Sequence, residues 1–372
     1  MTPPIRTAEM PGHETRFQFR ELVFDCGKIR QFLLMNGIFQ PGTDPPRPLE
    51  LRAFGSTGLQ VSALGFGGGN IGFVDMSDET VDRIFGAALD MGVNNIDTAA
   101  TYGDSEEKIG RSLREKRQRF LLFTKCGRSQ PARRSLTSLR LRAHRKIRRA
   151  AGFADEYESL DWHPTVLRWN IDQSLRRLKT DWIDLLQLHS CSEAILRRSE
   201  VIETLQRARE AGKVRFVGYS GEGSAALYAL QCGQFQALQI SINLADQNAL
   251  NTILPLAIER GIAVIAKRPL ANSLWKRSTR PDPIRYPRYQ AYWERLQKLR
   301  YDFLYGERAS EVALRFTLSV PGVHTAIAGT TSIDHFKKNV EFAALGGLDK
   351  ATFDSIRAKW STIAEPHWEG QI

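Results

Sequence analysis

The sequence predicts an α/β protein whose eight parallel strands close into a (β/α)8 TIM barrel. Three observations lead there. First, a helical pattern that halts at a glycine and passes into a short β-rich run recurs at Met91-Gly92, Ala211-Gly212 and Arg260-Gly261. Second, the strand-like runs, such as Leu121-Leu122-Phe123 and Ile183-Asp184-Leu185-Leu186, are continuously apolar rather than alternating. Strands covered on both faces read that way, as in a parallel sheet under helices. Third, candidate strands fall near 63–67, 94–98, 120–125, 182–189, 214–220, 237–243, 262–267 and 324–329. Eight such units match a closed barrel better than an open doubly wound sheet. The first strand leads into Gly65-Phe66-Gly67-Gly68-Gly69, whose spacing is not the dinucleotide fingerprint GxGxxG, so a Rossmann domain is the weaker fold.

Residues 1–50 are unlike the rest. They lack sustained periodicity and end in Pro45, Pro46 and Pro48, which reads as an extension or tail closing in an extended linker. Residues 51–372 are expected to form a single barrel domain. Its first helix opens at Ser77, an N-cap followed by Asp78 and Glu79, and presents Val81, Ile84, Phe85, Ala88 and Leu89 on one face. Gly92 suits the left-handed position just past the helix end. Two insertions interrupt the rhythm. One is the basic stretch after the third strand. The other runs from Trp275 to about Gly306, with Pro281, Pro283 and Pro287 before a helix expected over Tyr292–Leu299. It follows the seventh strand and would lie over the barrel mouth, where substrate-selective loops belong.

The chain has 372 residues, 42% of them hydrophobic, enough for a sizeable core. No apolar stretch reaches the roughly 20 residues that span a bilayer, and Met1 to Arg20 lack the apolar centre of a signal peptide. Cys26, Cys126, Cys191 and Cys232 show no paired spacing, which suits a reduced, cytoplasmic setting. The formal net charge is +11, and residues 128–149 (RSQPARRSLTSLRLRAHRKIRR) contain no acid. The plain reading is a solvated insertion; the functional one is a docking surface for an acidic partner. Nucleic acid is the weaker reading, since the run has no aromatic residue on which a base could stack.

Chemistry concentrates at the strand ends. Asp97, Lys125 and His189 close the second, third and fourth strands, and Tyr102 lies five residues after Asp97 on the next loop. Ionisable groups at the carboxyl ends of neighbouring parallel strands converge on the face where barrel enzymes place catalysis. Reducing a carbonyl requires a proton for the oxygen as hydride reaches the carbon. A free tyrosine, with a pKa of about 10, is a poor acid near neutrality, but a neighbouring ammonium favours its ionised form. Lys125 could supply that ammonium, Asp97 could hold it charged and in place, Tyr102 could donate the proton and His189 could orient the carbonyl oxygen. Taken singly, a buried Asp–Lys pair or a lone histidine is more often structural; the four in order are harder to dismiss. A metal-dependent hydrolase would need a His-x-His or carboxylate-rich ligand set, which the sequence lacks.

Several segments resemble the aldo-keto reductase family. Asn95-Ile-Asp-Thr-Ala-Ala-Thr-Tyr-Gly-Asp-Ser-Glu106 is similar to its signature, Phe123-Thr-Lys-Cys-Gly127 to its lysine motif, and Leu175 to His189 to the segment leading to its histidine. Arg52 to Gly67 resembles its amino-terminal hairpin and first strand, and Leu314 to Val323 the helix before its last strand. The resemblance spans about residues 51–345. It implies the four roles above, a small-molecule carbonyl substrate, and NADPH or NADH bound across the barrel top. It also implies nucleotide contacts: Gly67 and Asp97 near the first strands, Ser220 and Gln239 at the nicotinamide carboxamide, and Arg268 beside the ring. Gly329, Thr330, Thr331, His335 and Asn339 would then stand at the adenosine phosphates. Members usually show Ser-Asn where this chain has Ser220-Gly221, which removes one amide partner. Members that clamp a 2′-phosphate commonly use Lys and Arg where this chain has Gly329 and His335, with Lys337 and Lys338 as the nearby cations that could substitute. Some relatives are cofactor-holding regulatory subunits with slow turnover, which is the alternative to a reductase.

Overall fold

Eight strands run parallel and close on themselves in a computed structural model that describes residues 47–128, 162–282 and 287–371. The barrel lies within the compact unit Pro46–Ile372. An antiparallel hairpin, β1 (Leu51–Ala53) and β2 (Gln60–Ser62), precedes it. The barrel strands are β3 (Leu64–Gly67), β4 (Asn95–Asp97), β5 (Leu121–Cys126), β6 (Ile183–His189), β7 (Val214–Ser220), β8 (Ala237–Ser241), β9 (Ala263–Lys267) and β10 (Thr325–Ala328). They pair in chain order, and β10 returns to β3, so every expected strand is found within a residue or two. The helices between them are α1 (Asp78–Asp90), α2 (Ser105–Ser112), α3 (Pro164–Leu178), α4 (Ser199–Glu210), α5 (Gly223–Gln231) and α6 (Leu254–Glu259). After β9 come α7 (Pro287–Leu299) and α8 (Ala309–Ser319), and after β10 come α9 (Ile333–Ala344) and α10 (Lys350–Ile363). Short helical turns accompany these.

The local signals act as physical chemistry requires. Ser77 Oγ accepts the Thr80 N–H and caps α1. Gly92, Gly212 and Gly261 all adopt positive φ, at 80°, 72° and 62°, where a side chain would strain the backbone. Helix α7 starts at Pro287, earlier than the expected Tyr292, because proline at the first helical position gives up an N–H with no intrahelical partner anyway. The bottom of the barrel is sealed by the hairpin. Phe54 stacks on Phe123 of β5 with centroids 5.4 Å apart and joins Val61, Leu185 and Ile265 in an inner apolar layer. The larger core lies between strands and helices, so the polar strand ends at the opposite mouth remain for chemistry.

Of residues 1–50, expected as the extension, 1–46 lie outside the described residues, as does the acid-free run beyond Arg128. Among the described residues no helix is long and apolar enough to cross a membrane.

Candidate active site

Barrel register brings the strand ends together. Gly67 aligns with Asp97, Lys125 with Gln187, His189 with Ser220, and Ser220 with Gln239. A shared register at one end means that side chains distant in sequence emerge on one rim. Asp97 and Lys125 are 4% and 1% exposed, so neither charge could persist there alone. Lys125 Nζ donates to Asp97 Oδ2 at 2.6 Å and to the Thr98 carbonyl at 2.8 Å. Burial by itself would push the Lys125 pKa down. The Asp97 carboxylate and, secondarily, Tyr102 more than offset this and hold it above its ordinary value. The lysine is therefore an ammonium throughout the neutral range.

That ammonium lies 5.1 Å from the centre of the Tyr102 ring, and the Tyr102 and His189 rings meet edge to face at 5.7 Å. His189 Nδ1 is 3.3 Å from Thr101 Oγ1. Its pKa falls well below 6.5, first through burial and then through the charges of Lys125, Lys267, Arg128 and Arg288. His189 is thus a neutral imidazole at physiological pH, a ring that can hydrogen-bond a carbonyl oxygen without bringing a charge. The four residues expected to act together are together.

The Tyr102 loop is held by close backbone contact. A side chain at Gly72 would place its Cβ 1.8 Å from the Tyr102 carbonyl oxygen, and Gly103, with φ of 56°, turns the chain directly afterwards. Gly72→Ala is expected to lower kcat by roughly a hundredfold by displacing the tyrosine. Steady-state kinetics beside an unchanged circular-dichroism spectrum would show it; an unaltered kcat would mean that the loop tolerates the shift.

The residues expected to hold the nucleotide line the same rim. Ser220 Oγ and Gln239 Oε1 are 2.9 Å apart, both side chains are buried, and the Gln239 amide Nε2 has no protein partner among the described residues. A hydroxyl beside a primary amide is the donor and acceptor set that a carboxamide requires, so these residues fit a nicotinamide. Gly221 has a structural reason. A Cβ there would lie 2.1 Å from the Tyr219 hydroxyl, which donates to the Cys191 carbonyl at 2.7 Å. Gly67 and Gly329 face each other so closely that a Cβ at Gly329 would be 2.6 Å from the Gly67 carbonyl. Thr330 and Thr331 lead into α9, where Ser332 Oγ accepts the His335 N–H and Asn339 is buried in the second turn. The start of this 12-residue helix suits a phosphate through its backbone N–H groups. Lys338 pairs with Glu341 at 3.2 Å. Arg268 directly follows β9 on the same rim. Its guanidinium donates to Ser241 Oγ at 2.8 Å and to the Gln371 carbonyl, clasping the C-terminal segment.

Other residues of the mouth were not singled out from sequence. Gln187 Nε2 reaches Asp97 Oδ1 at 3.4 Å, and Lys267 Nζ pairs with Glu222 at 3.0 Å. Burial brings the Lys267 pKa down to about 8, against the pull of Glu222. Lys267 carried a readable signal, since it ends the seventh strand as Lys125 ends the third. Glu222 and Gln187 carried none.

The chain is similar to known oxidoreductases. The chain is 26% identical over 344 residues to an L-galactose dehydrogenase of Arabidopsis thaliana, covering 87% of this chain and 98% of that one. It is 28% identical over 320 residues to a D-threo-aldose 1-dehydrogenase of a Pseudomonas species, covering 79% and 92%. The holo form of an aldo-keto reductase from Bacillus halodurans superposes with a TM-score of 0.66 at 27% identity, covering 84% and 96%. Residues 63–361 match the model of the aldo/keto reductase family, and this oxidoreductase therefore belongs to that family.

Proposed function

We propose that the chain interconverts an aldehyde or ketone and its alcohol with NADPH or NADH, Tyr102 acting as general acid in the direction of reduction. One observation carries this reading: a buried Lys125–Asp97 pair at 2.6 Å lies against the Tyr102 ring, which meets a neutral His189 edge to face. The nucleotide, when bound, supplies or accepts hydride. The remaining work falls to the protein. Ser220 and Gln239 would hold the carboxamide, which fixes the face presented to the substrate. Tyr102 would donate to the carbonyl oxygen, with the Lys125 ammonium favouring the charge left on the phenolate. Asp97 keeps that ammonium in place, and His189 would hydrogen-bond the same oxygen and set its angle.

Two relatives are named as an L-galactose dehydrogenase and a D-threo-aldose 1-dehydrogenase. Oxidation of an alcohol would use the same residues, with Tyr102 then taking the proton. The test is fluorescence titration with NADPH and with NADH, followed by turnover of an activated aldehyde. Saturable binding with turnover is expected. Binding without sustained turnover would favour a regulatory subunit, and no binding of either nucleotide would end the reading. The same titration decides between the nucleotides, a question raised by Gly329 and His335.

A further inference from the structure

Lys125 and His189 meet the Tyr102 ring and serve the reacting oxygen. Phe73 meets the same ring with no polar group to offer. Its ring centre is 6.3 Å from that of Tyr102, with the two planes tilted by 59°. Phe73 is 68% exposed, and Tyr102 is its one ring contact among the described residues. Val74 beside it is 44% exposed, so two neighbouring apolar side chains face water next to Tyr102. A scattered exposed hydrophobe needs no explanation. This one is held in place, and held against the residue proposed to carry the chemistry.

The loop that carries Phe73 is built rigidly. It follows β3 as a single tight helical turn, Asn70–Gly72, after which the Phe73 N–H donates to the Asn70 carbonyl at 3.2 Å. Ile71 anchors the turn in the core. Lys108 of α2, itself buried, donates to the carbonyls of Ile71 at 3.1 Å and Val74 at 3.0 Å, one on each side of Phe73, and pairs with Asp104 at 3.3 Å. Charge-assisted bonds from one ammonium to two loop carbonyls fix the segment between them. The same loop is tied to the Tyr102 turn, where the Asp104 N–H donates to the Gly72 carbonyl at 3.4 Å. The backbones beneath Phe73 and Tyr102 thus form one unit, and the relation of the two rings is set in advance of any substrate.

Gly69 keeps the phenol accessible. A Cβ there would rest 3.6 Å from Tyr102 Cε2, an ordinary contact, so a larger side chain would cover part of the ring that glycine leaves bare. A carbonyl oxygen bonded to the Tyr102 hydroxyl brings the groups flanking its carbon alongside the phenol, within reach of a ring fixed next to it. We propose that Phe73 determines specificity at this mouth, as the platform against which a flat apolar group of the substrate packs, and that the substrate is an aryl aldehyde or ketone or the corresponding alcohol. Aromatic rings pair offset or edge to face at centroid separations of about 4.5–7 Å, a geometry that an exposed, fixed phenylalanine offers directly. A polyhydroxylated substituent would instead set hydroxyls against a ring that cannot bond them. This assignment rests on the reductase reading and names its substrate class.

The experiment compares kcat/KM for 2-naphthaldehyde with that for D-glyceraldehyde, in the full chain and in Phe73→Ala and Phe73→Trp. The parent is expected to favour naphthaldehyde by about tenfold or more. Phe73→Ala should cut that ratio by about tenfold, chiefly through KM for naphthaldehyde, and Phe73→Trp should retain it. An equal fall on both aldehydes in Phe73→Ala, carried by kcat, would make Phe73 a prop for Tyr102 and overturn the proposal. An unchanged ratio in Phe73→Ala would overturn it as well. A parent chain that prefers glyceraldehyde would overturn the substrate class while leaving the reductase intact. Failure to turn over either aldehyde would remove the reductase reading and this one with it.

Discussion

Carbonyl turnover by Tyr102→Phe is expected to drop to about a thousandth of the parent rate while nucleotide affinity stays as it was. The first number follows from the usual contribution of a positioned general acid, about 10²–10⁴ in rate. The second follows from geometry. Phenylalanine retains the ring that packs edge to face on His189 and stands 6.3 Å from that of Phe73, so only the hydroxyl is lost. None of the side chains proposed to hold the nicotinamide or the phosphates bonds to that hydroxyl in the structure. Single-turnover kinetics with prebound NADPH or NADH would separate a chemical defect from a binding one. A phenylalanine variant that turns over normally would take Tyr102 out of the acid role and leave His189 to be tested for it.

Lys125→Met should damage both chemistry and stability, in a way that a second substitution can separate. Asp97 is buried, and the lysine is its only ion-pair partner among the described residues. Removing that partner leaves an uncompensated buried carboxylate, which costs about 3–5 kcal/mol. For a barrel of this size the thermal midpoint would fall on the order of 10 °C. Adding Asp97→Asn removes the stranded charge, so the double variant should recover most of the midpoint and none of the turnover. Differential scanning fluorimetry alongside aldehyde kinetics measures both. If the double variant regained activity, the ammonium would not be assisting Tyr102; if the single variant melted like the parent, the pair would not be the buried unit that its geometry describes.

Much of the fold was legible because its determinants are local. A serine cap at Ser77, glycines at 92, 212 and 261, and continuous apolar runs act within a turn or a strand, and each does in the structure what its position implied. The placement of Asp97, Lys125 and His189 was legible for a related reason: an ionisable residue that interrupts an apolar strand at its carboxyl end goes to the mouth of a parallel barrel. Lys267 obeys the same rule and could have been found by it. Glu222, Gln187 and Asp246 could not, because their meaning lies in what faces them from other strands.

By itself, then, the sequence determined the eight strands, the start and stop of the first helix, and the positions of Asp97, Lys125 and His189 at or beside the strand ends. Barrel closure decided the rest. It set Ser220 against Gln239, joined Arg268 to the main chain of Gln371, and turned one face of α7 towards the mouth. These contacts join residues 19 to 103 positions apart. Helical and strand periodicities carry information over one turn or one pleat, so partners this distant are chosen only when the closed sheet fixes the register of every strand at once.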